Sequence, residues 1–223
     1  MKKYPYLLLT AFILISVNEL KAQDNTQLGL DIASAQEKNK GQLMGYSWQR
    51  SSKIFVNNEE KTHNLVKVWF NSEGQMETSV LSSESSDKKK KGLRGKAQKN
   101  KGQDITDLLE QSVKIAIDYI NLSKGNWIDL MDRAMVLVDN GEVKIVAKSV
   151  LEKDDEAQYL LDLETKLLKS VNFTSVVTGK SFTSSINFKV MSDGTNHPTV
   201  MTINIPSESL KITAENIDYI KQN

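Results

Sequence analysis

The chain contains no cysteine. That absence removes disulfides, thiol catalysis and thiolate metal sites together, and it leaves no residue to carry a lipid anchor after an export signal. Histidine is nearly as scarce. His63 and His197 are the two in 223 residues, each beside an expected turn, and neither lies in a ligand pattern with carboxylates at helical spacing. Both read as surface histidines. There is no glycine-rich phosphate loop and no serine elbow. Asp104 and Asp107 flank a helix start and read as cap and dipole partners rather than as an acid/base pair. Asp154-Asp155-Glu156 lacks the glycine and further spaced oxygens of a dedicated calcium loop. These absences point away from an enzyme and away from a bound metal or cofactor.

The N-terminus reads as an address. Lys2 and Lys3 precede an apolar run from Leu7 to Val17, broken by Thr10 and Ser16, and Leu20-Lys21-Ala22 offers a cleavage site before Gln23. The run is well short of the roughly 20 residues that cross a bilayer. Residues 1–22 are therefore expected to be removed on export, leaving a soluble periplasmic protein at 23–223. A chain of that size buries a sizeable core as one domain, and without disulfides it must rely on that core.

Charge is balanced overall but unevenly spread. Three of the 29 basic and one of the 28 acidic residues lie in the first 22, which leaves 26 and 27. Eight of those 26 fall between Lys88 and Lys101 with no acid among them, so the remainder is distinctly acidic. Residues 84–103 lose all apolar periodicity, and with little to offset an ordering entropy of about 1–2 kcal/mol per residue they are expected to form a disordered basic loop. Three readings stand for it: a solvated insertion, docking on an acidic partner or anionic membrane surface through Lys88, Lys89, Lys90, Lys91, Arg94 and Lys96, or nucleic acid. The last is disfavoured by the compartment and by the lack of interleaved aromatics.

Elsewhere the dominant signal is alternation. Phe182, Ser184, Ile186, Phe188 and Val190 share one face of a strand; Tyr46, Trp48, Arg50, Ser52, Ile54 and Val56 share one face of another. Further strands are expected at Leu65–Phe70, Met76–Leu81, Met135–Val138, Glu142–Val150, Gln158–Leu163, Leu168–Val177, Val200–Ile205 and from Leu210. Turn residues separate them, among them Asn57-Asn58-Glu59-Glu60, Asp139-Asn140-Gly141 and Gly179, and Pro206 stops a ladder to which it cannot donate. Helical spacing occurs over Thr26–Lys40, weakened by Gly29, and from an Asp104 N-cap through Leu109, Val113, Ala116, Ile117 and Ile120. A short helix capped by Asn126 follows. About ten strands and two or three helices make an α+β fold, a strongly curved antiparallel sheet (a half-barrel) with the helices over its concave side.

An exported helix, three strands, helices inserted in the middle and a long C-terminal meander together resemble the bacterial periplasmic lipoprotein-carrier fold of the LolA and LolB kind. The local likeness is strongest in Tyr159-Leu160-Leu161-Asp162-Leu163-Glu164-Thr165-Lys166-Leu167-Leu168, where a strand ends in an aspartate and a short turn. It recurs in Asp193-Gly194-Thr195-Asn196-His197-Pro198. The resemblance implies an incomplete barrel, helices over its open side, and an apolar cavity between them that receives acyl chains; the lysine-rich insertion departs from it.

Two functional classes follow. One is a non-enzymatic binding or carrier protein whose apolar groove, for lipid or lipoprotein acyl chains, would involve Trp48, Trp69, Leu109, Val113, Ile117, Ile120, Phe182 and Phe188. The other is a structural or interaction protein of the cell envelope in which the same residues are ordinary core and the basic loop meets an acidic partner or anionic membrane surface. Nucleic acid is not expected as a partner, and the expected state is a monomer.

Overall fold

The computed structural model describes residues 25–85 and 93–222, and the side chains of all of these except 93–104. The signal segment 1–22 and Lys88 to Lys91 of the basic segment lie outside the described residues. Helix α1 covers 25–43. Strands β1 (Tyr46–Val56), β2 (Glu59–Phe70) and β3 (Met76–Ser85) follow, then α2 (Leu93–Ile120) and α3 (Lys124–Met131). Strands β4 (Met135–Asp139), β5 (Glu142–Lys148), β6 (Glu156–Asp162), β7 (Leu168–Val177), β8 (Lys180–Val190), β9 (Asn196–Ile205) and β10 (Leu210–Lys221) complete the chain.

All ten strands form one antiparallel sheet in the order β3-β2-β1-β10-β9-β8-β7-β6-β5-β4. Every neighbouring pair except β1–β10 is consecutive in sequence, so two meanders of hairpins are joined by a single long-range pairing. The sheet stays open, and its edges are β3 and β4. The segment between those two edge strands supplies α2 and α3, which lie over the concave face. The hairpin turns need backbone that most residues avoid: Asn57 and Asn58 have φ of 53° and 63°, Asn140 and Gly141 of 49° and 79°. Two consecutive positive φ values are the turn whose twist matches paired strands.

Alternation becomes burial where the helices cover the sheet. Val143, Ile145, Ala157, Tyr159, Leu161, Val171, Phe173, Phe182, Ile186, Ile203 and Ile205 form the floor of the core. Helix α2 meets them through Leu108, Ser112, Ala116 and Tyr119, successive turns of one face. The Tyr119 ring stacks on Phe173 with centroids 3.8 Å apart, and Phe173 meets Phe182 edge-on at 5.7 Å. Trp127 of α3 packs edge-on against Tyr159 at 5.0 Å. Helix α1 adds Ile32 and Ala33. A Cβ on Gly29 would stand 3.0 Å from Met131 Cγ and 3.3 Å from the Trp127 carbonyl oxygen. The residue that weakens α1 as a helix thus lets it approach α3.

Four expectations need correction. Helix α2 begins at Leu93, not at an Asp104 cap, so residues 93–103 of the expected loop are helical and carry Arg94 and Lys96. Lysine, arginine, alanine and glutamine are good helix formers, and extending a helix already held by its packed half is far easier than starting one. Glu84 and Ser85, also assigned to the loop, end β3. The cap of α3 is Ser123, whose hydroxyl accepts from the Asn126 N–H at 3.1 Å while Asn126 Oδ1 accepts from the Ser123 N–H at 3.2 Å, a capping box in which Asn126 is the reciprocal partner. Ile117 is partly exposed and lies outside the core cluster, because the buried face of α2 is centred on Ser112, Ala116 and Tyr119.

Candidate functional site

Burial on the concave face fades from β10 towards β3. The cross-strand rows through β1 make this plain: Arg50 is flanked by Asn216 of β10 and Val66 of β2, then Val80 of β3; Ser52 by Ala214 and Asn64, then Ser83; Ile54 by Ile212 and Thr62, then Ser85. Trp48 lies beside Val68, then Thr78. Ile212 and Ala214 are buried, Ile54 and Val66 partly so, and Val80 is 68% exposed. Every residue of β3 is exposed. Among the described residues, then, the helices cover the face from β5 to β10, and Ile54 of β1 packs against that core. Trp48 and Val68 are buried beside each other, and an apolar strip through Val66, Phe70, Met76 and Val80 of β2 and β3 is left open.

At one end of this strip stands a cluster of rings. Trp48 is 2% exposed; it stacks on Tyr219 at 5.3 Å and meets Phe70 at 5.7 Å, while His197 lies 4.1 Å from Tyr219. Asn216 is the hub. Its Oδ1 accepts from Trp48 Nε1 at 3.0 Å and from Arg50 Nε at 2.9 Å, and its Nδ2 donates to the Pro198 carbonyl oxygen at 3.1 Å, which fixes the orientation of the amide. The Tyr219 hydroxyl donates to the same carbonyl at 3.0 Å. Arg50 Nη2 reaches Met76 Sδ at 3.9 Å. Through Arg50, β10 and β3 side chains meet across strands that a flat sheet would hold about 14 Å apart, a direct expression of the curvature.

The electrostatics of the cluster are set by burial. Desolvation lowers the Arg50 pKa and the His197 pKa, and raises that of Tyr219 against the opposing pull of Arg50. His197 is thereby favoured as the neutral ring and Tyr219 as the neutral phenol. Among the paired residues of the three rows through Arg50, Ser52 and Ile54, Arg50 is the one charged residue.

Likeness to known proteins is faint. No protein-family model matches the sequence, and no curated protein does. Three solved structures bear a weak likeness to the chain. A LolA superfamily protein from Nitrosomonas europaea is 8% identical with a TM-score of 0.41, over 86% of this chain and 92% of that one. A domain assigned to an outer membrane lipoprotein-sorting protein of Vibrio parahaemolyticus is 11% identical at 0.41, over 89% and 94%. A DUF1329 family protein from Desulfovibrio piger is 11% identical at 0.37, over 88% and 92%. The resemblance read from the sequence is to the family for which the first of these is named. Identities and scores this low make no case for a shared activity.

The groove residues expected from the sequence separate into groups. Trp48 belongs to the ring cluster. Leu109 and Phe182 are buried in the packed core, and Val113, Ile120 and Phe188 lie partly buried against it. Ile117 stands outside that core. Trp69 pairs with Ser47, one residue out of phase with Trp48, so the two tryptophans occupy opposite faces of the sheet and cannot line one groove. Sequence reasoning missed Arg50, Asn216 and Tyr219 as site residues. The signal was there: Arg50 and Asn216 are polar residues standing in phase with the apolar positions of their strands.

The remaining polar candidates are structural. Asp155 is buried and accepts N–H bonds from Val150 at 2.5 Å, Leu151 at 2.9 Å and Glu152 at 2.8 Å, and also the Tyr119 hydroxyl. Its oxygens are thus committed to donors, which is why Asp154-Asp155-Glu156 does not present a calcium loop. Asp162, the aspartate that closes β6, accepts from the Thr165 and Glu164 N–H groups at 2.8 and 3.1 Å, and these donors, Thr165 first, lower its pKa. Ser51 Oγ does lie 2.9 Å from His63 Nε2, but on the outer face, with no carboxylate bound to the other ring nitrogen among the described residues. That pair lacks the orienting group that nucleophile activation requires. No described group of three His, Asp or Glu side chains is placed to hold a metal ion, and no described helix is long and apolar enough to cross a membrane.

Proposed function

We propose that this chain is a binding or carrier protein of the bacterial envelope that holds the acyl chain of a lipid against the open part of its concave face. The supporting observation is the apolar strip left uncovered beside a well-packed core: Val66 and Phe70 partly buried, Met76 42% and Val80 68% exposed. A curved sheet with one half lidded and one half bare has a place for a chain-like apolar guest. At about 0.8 kcal/mol per buried CH₂, a 14-carbon chain gains about 10 kcal/mol, against an association cost of at least about 4 kcal/mol. Export and removal of residues 1–22 belong to the same reading, and N-terminal sequencing of the protein recovered from the periplasm checks them.

The test is native mass spectrometry with lipid extraction on protein purified from its own periplasm. The wild type should carry acyl lipid, and Val66→Asp combined with Val80→Asp should lose it while the circular dichroism spectrum stays the same. Lipid-free wild-type protein that also takes up no acyl chain from micelles would overturn the reading.

A further inference from the structure

A guanidinium on an apolar face needs an explanation, because burying a charge without a partner is unfavourable by several kcal/mol. Arg50 has Asn216 Oδ1 and Met76 Sδ as its hydrogen-bond partners, both uncharged. No aspartate or glutamate is among the paired residues of the rows through Arg50, Ser52 and Ile54; Asp218 stands in the β10 bulge opposite Trp48. Asp193 is already engaged: its carboxylate accepts from the Tyr46 hydroxyl at 2.5 Å and lies 3.4 Å from Lys221 Nζ. The protein invests elsewhere in holding Arg50 still. Asn216 is clamped by three hydrogen bonds, one of which fixes Arg50 Nε, while Nη2 makes only the long contact to Met76 Sδ, so the guanidinium projects from a defined position.

We propose that Arg50 is the headgroup site of the open strip and that the ligand is a free fatty acid, its carboxylate paired with the Arg50 guanidinium while its chain lies across Val66 and Val80, the residues of the same row on β2 and β3. The proposal rests on the acyl-binding reading and adds to it the chemical class of the guest. A planar fork matches a carboxylate in two parallel N–H···O bonds. One guanidinium supplies one positive charge, and among the described residues no second cation is on hand to balance a dianionic phosphate: Lys221 is held by Asp193, Lys67 and Lys53 are out of phase with Arg50 and so lie on the other face of the sheet, and burial favours the neutral His197 ring. The guanidinium is partly buried, and desolvation lowers its pKa, a setting of reduced polarity that strengthens such a pair.

The experiment compares three 16-carbon ligands, palmitate, hexadecanol and hexadecyl phosphate, by isothermal titration into delipidated full-length protein. Palmitate should bind about 10-fold or more tightly than hexadecanol, as a hydrogen-bonded charge pair predicts. Arg50→Gln should remove that advantage, so that the variant binds palmitate no more tightly than hexadecanol. Equal binding of palmitate and hexadecanol to the wild type would overturn the headgroup assignment and leave the acyl groove standing. If neither binds, the acyl-binding reading falls and the headgroup site with it. Hexadecyl phosphate binding 10-fold more tightly than palmitate would overturn the choice of a monoanion. Should Arg50→Gln not fold, the three-ligand comparison on the wild type still decides.

Discussion

Strands β5 to β8 bury alternate residues along their length, whereas β1 and β2 do so at Trp48 and Val68 and β3 nowhere. In β5 the pattern is fully expressed, with Val143, Ile145 and Ala147 buried between less buried neighbours, whereas β3 exposes all ten of its residues. Composition is one cause, since β3 has three apolar residues, Met76, Val80 and Leu81, among its ten. The other is what the intervening segment supplies, since α2 and α3 bring Ala116, Tyr119, Trp127 and Leu130 onto one half of the concave face. A period of two therefore promises a face, and a covering element has to be found elsewhere in the chain before that face is a core.

The sharpest way to break the comparison is to truncate one residue in each half. Trp127→Ala should lose about 3–5 kcal/mol in urea unfolding, since it leaves a cavity against Tyr159, while Val80→Ala should stay within about 0.5 kcal/mol. Similar losses at both positions would mean that the β3 half is as tightly packed as the other. Asp155→Ala comes next. It orphans three backbone N–H groups and a buried tyrosine hydroxyl, and about 3 kcal/mol of stability should go with it. The fold should survive both changes, because the remaining rows of the core are untouched.

Much of the fold was legible. Tyr46–Val56 and Leu168–Val177 have the boundaries that their alternation implied, and the asparagine and glycine turns fall where positive φ is needed. The start of α2 was not legible, because charge repulsion in a lysine run was weighed above the helix propensity of the same residues and the nucleus behind them. The open site was less so. Recognising it requires the β1–β10 pairing that sets Arg50 beside Asn216, 166 positions away, and no local pattern carries that register. Trp69 shows the same limit at short range: the period of two already placed it opposite Trp48 once the β1–β2 register was known.

Adjacent positions on α2 sharpen the comparison further. Ala116 has no exposed surface, and Ala116→Asp would bury a charge with no cation to meet it, so a loss of several kcal/mol is expected. Ile117 is one residue on, partly exposed and outside the core cluster, and Ile117→Asp should lose only about 1 kcal/mol. Equal losses would show that the buried face of α2 is rotated from the one centred on Ser112, Ala116 and Tyr119.

The smallest effect expected lies at the margin between the halves, at His197. Its ring is packed against Tyr219, and desolvation is the main cause of its lowered pKa, with Lys189 adding in the same direction and the Pro198 carbonyl opposing. In the unfolded chain the ring titrates near pH 6.5. Once the pH falls below that value the unfolded state takes up a proton that the folded state holds less well, so unfolding is favoured by acid and the stabilisation is fully present only above it. Stability should therefore decline between pH 7.5 and 5.5. His197→Phe keeps an aromatic ring beside Tyr219 but cannot titrate, so its urea midpoint should change less over the same interval than that of the wild type. Parallel midpoints for the two proteins across that interval would show that His197 is as freely protonated in the folded state as in the unfolded one, and that the ring cluster at this end of the strip is open to water.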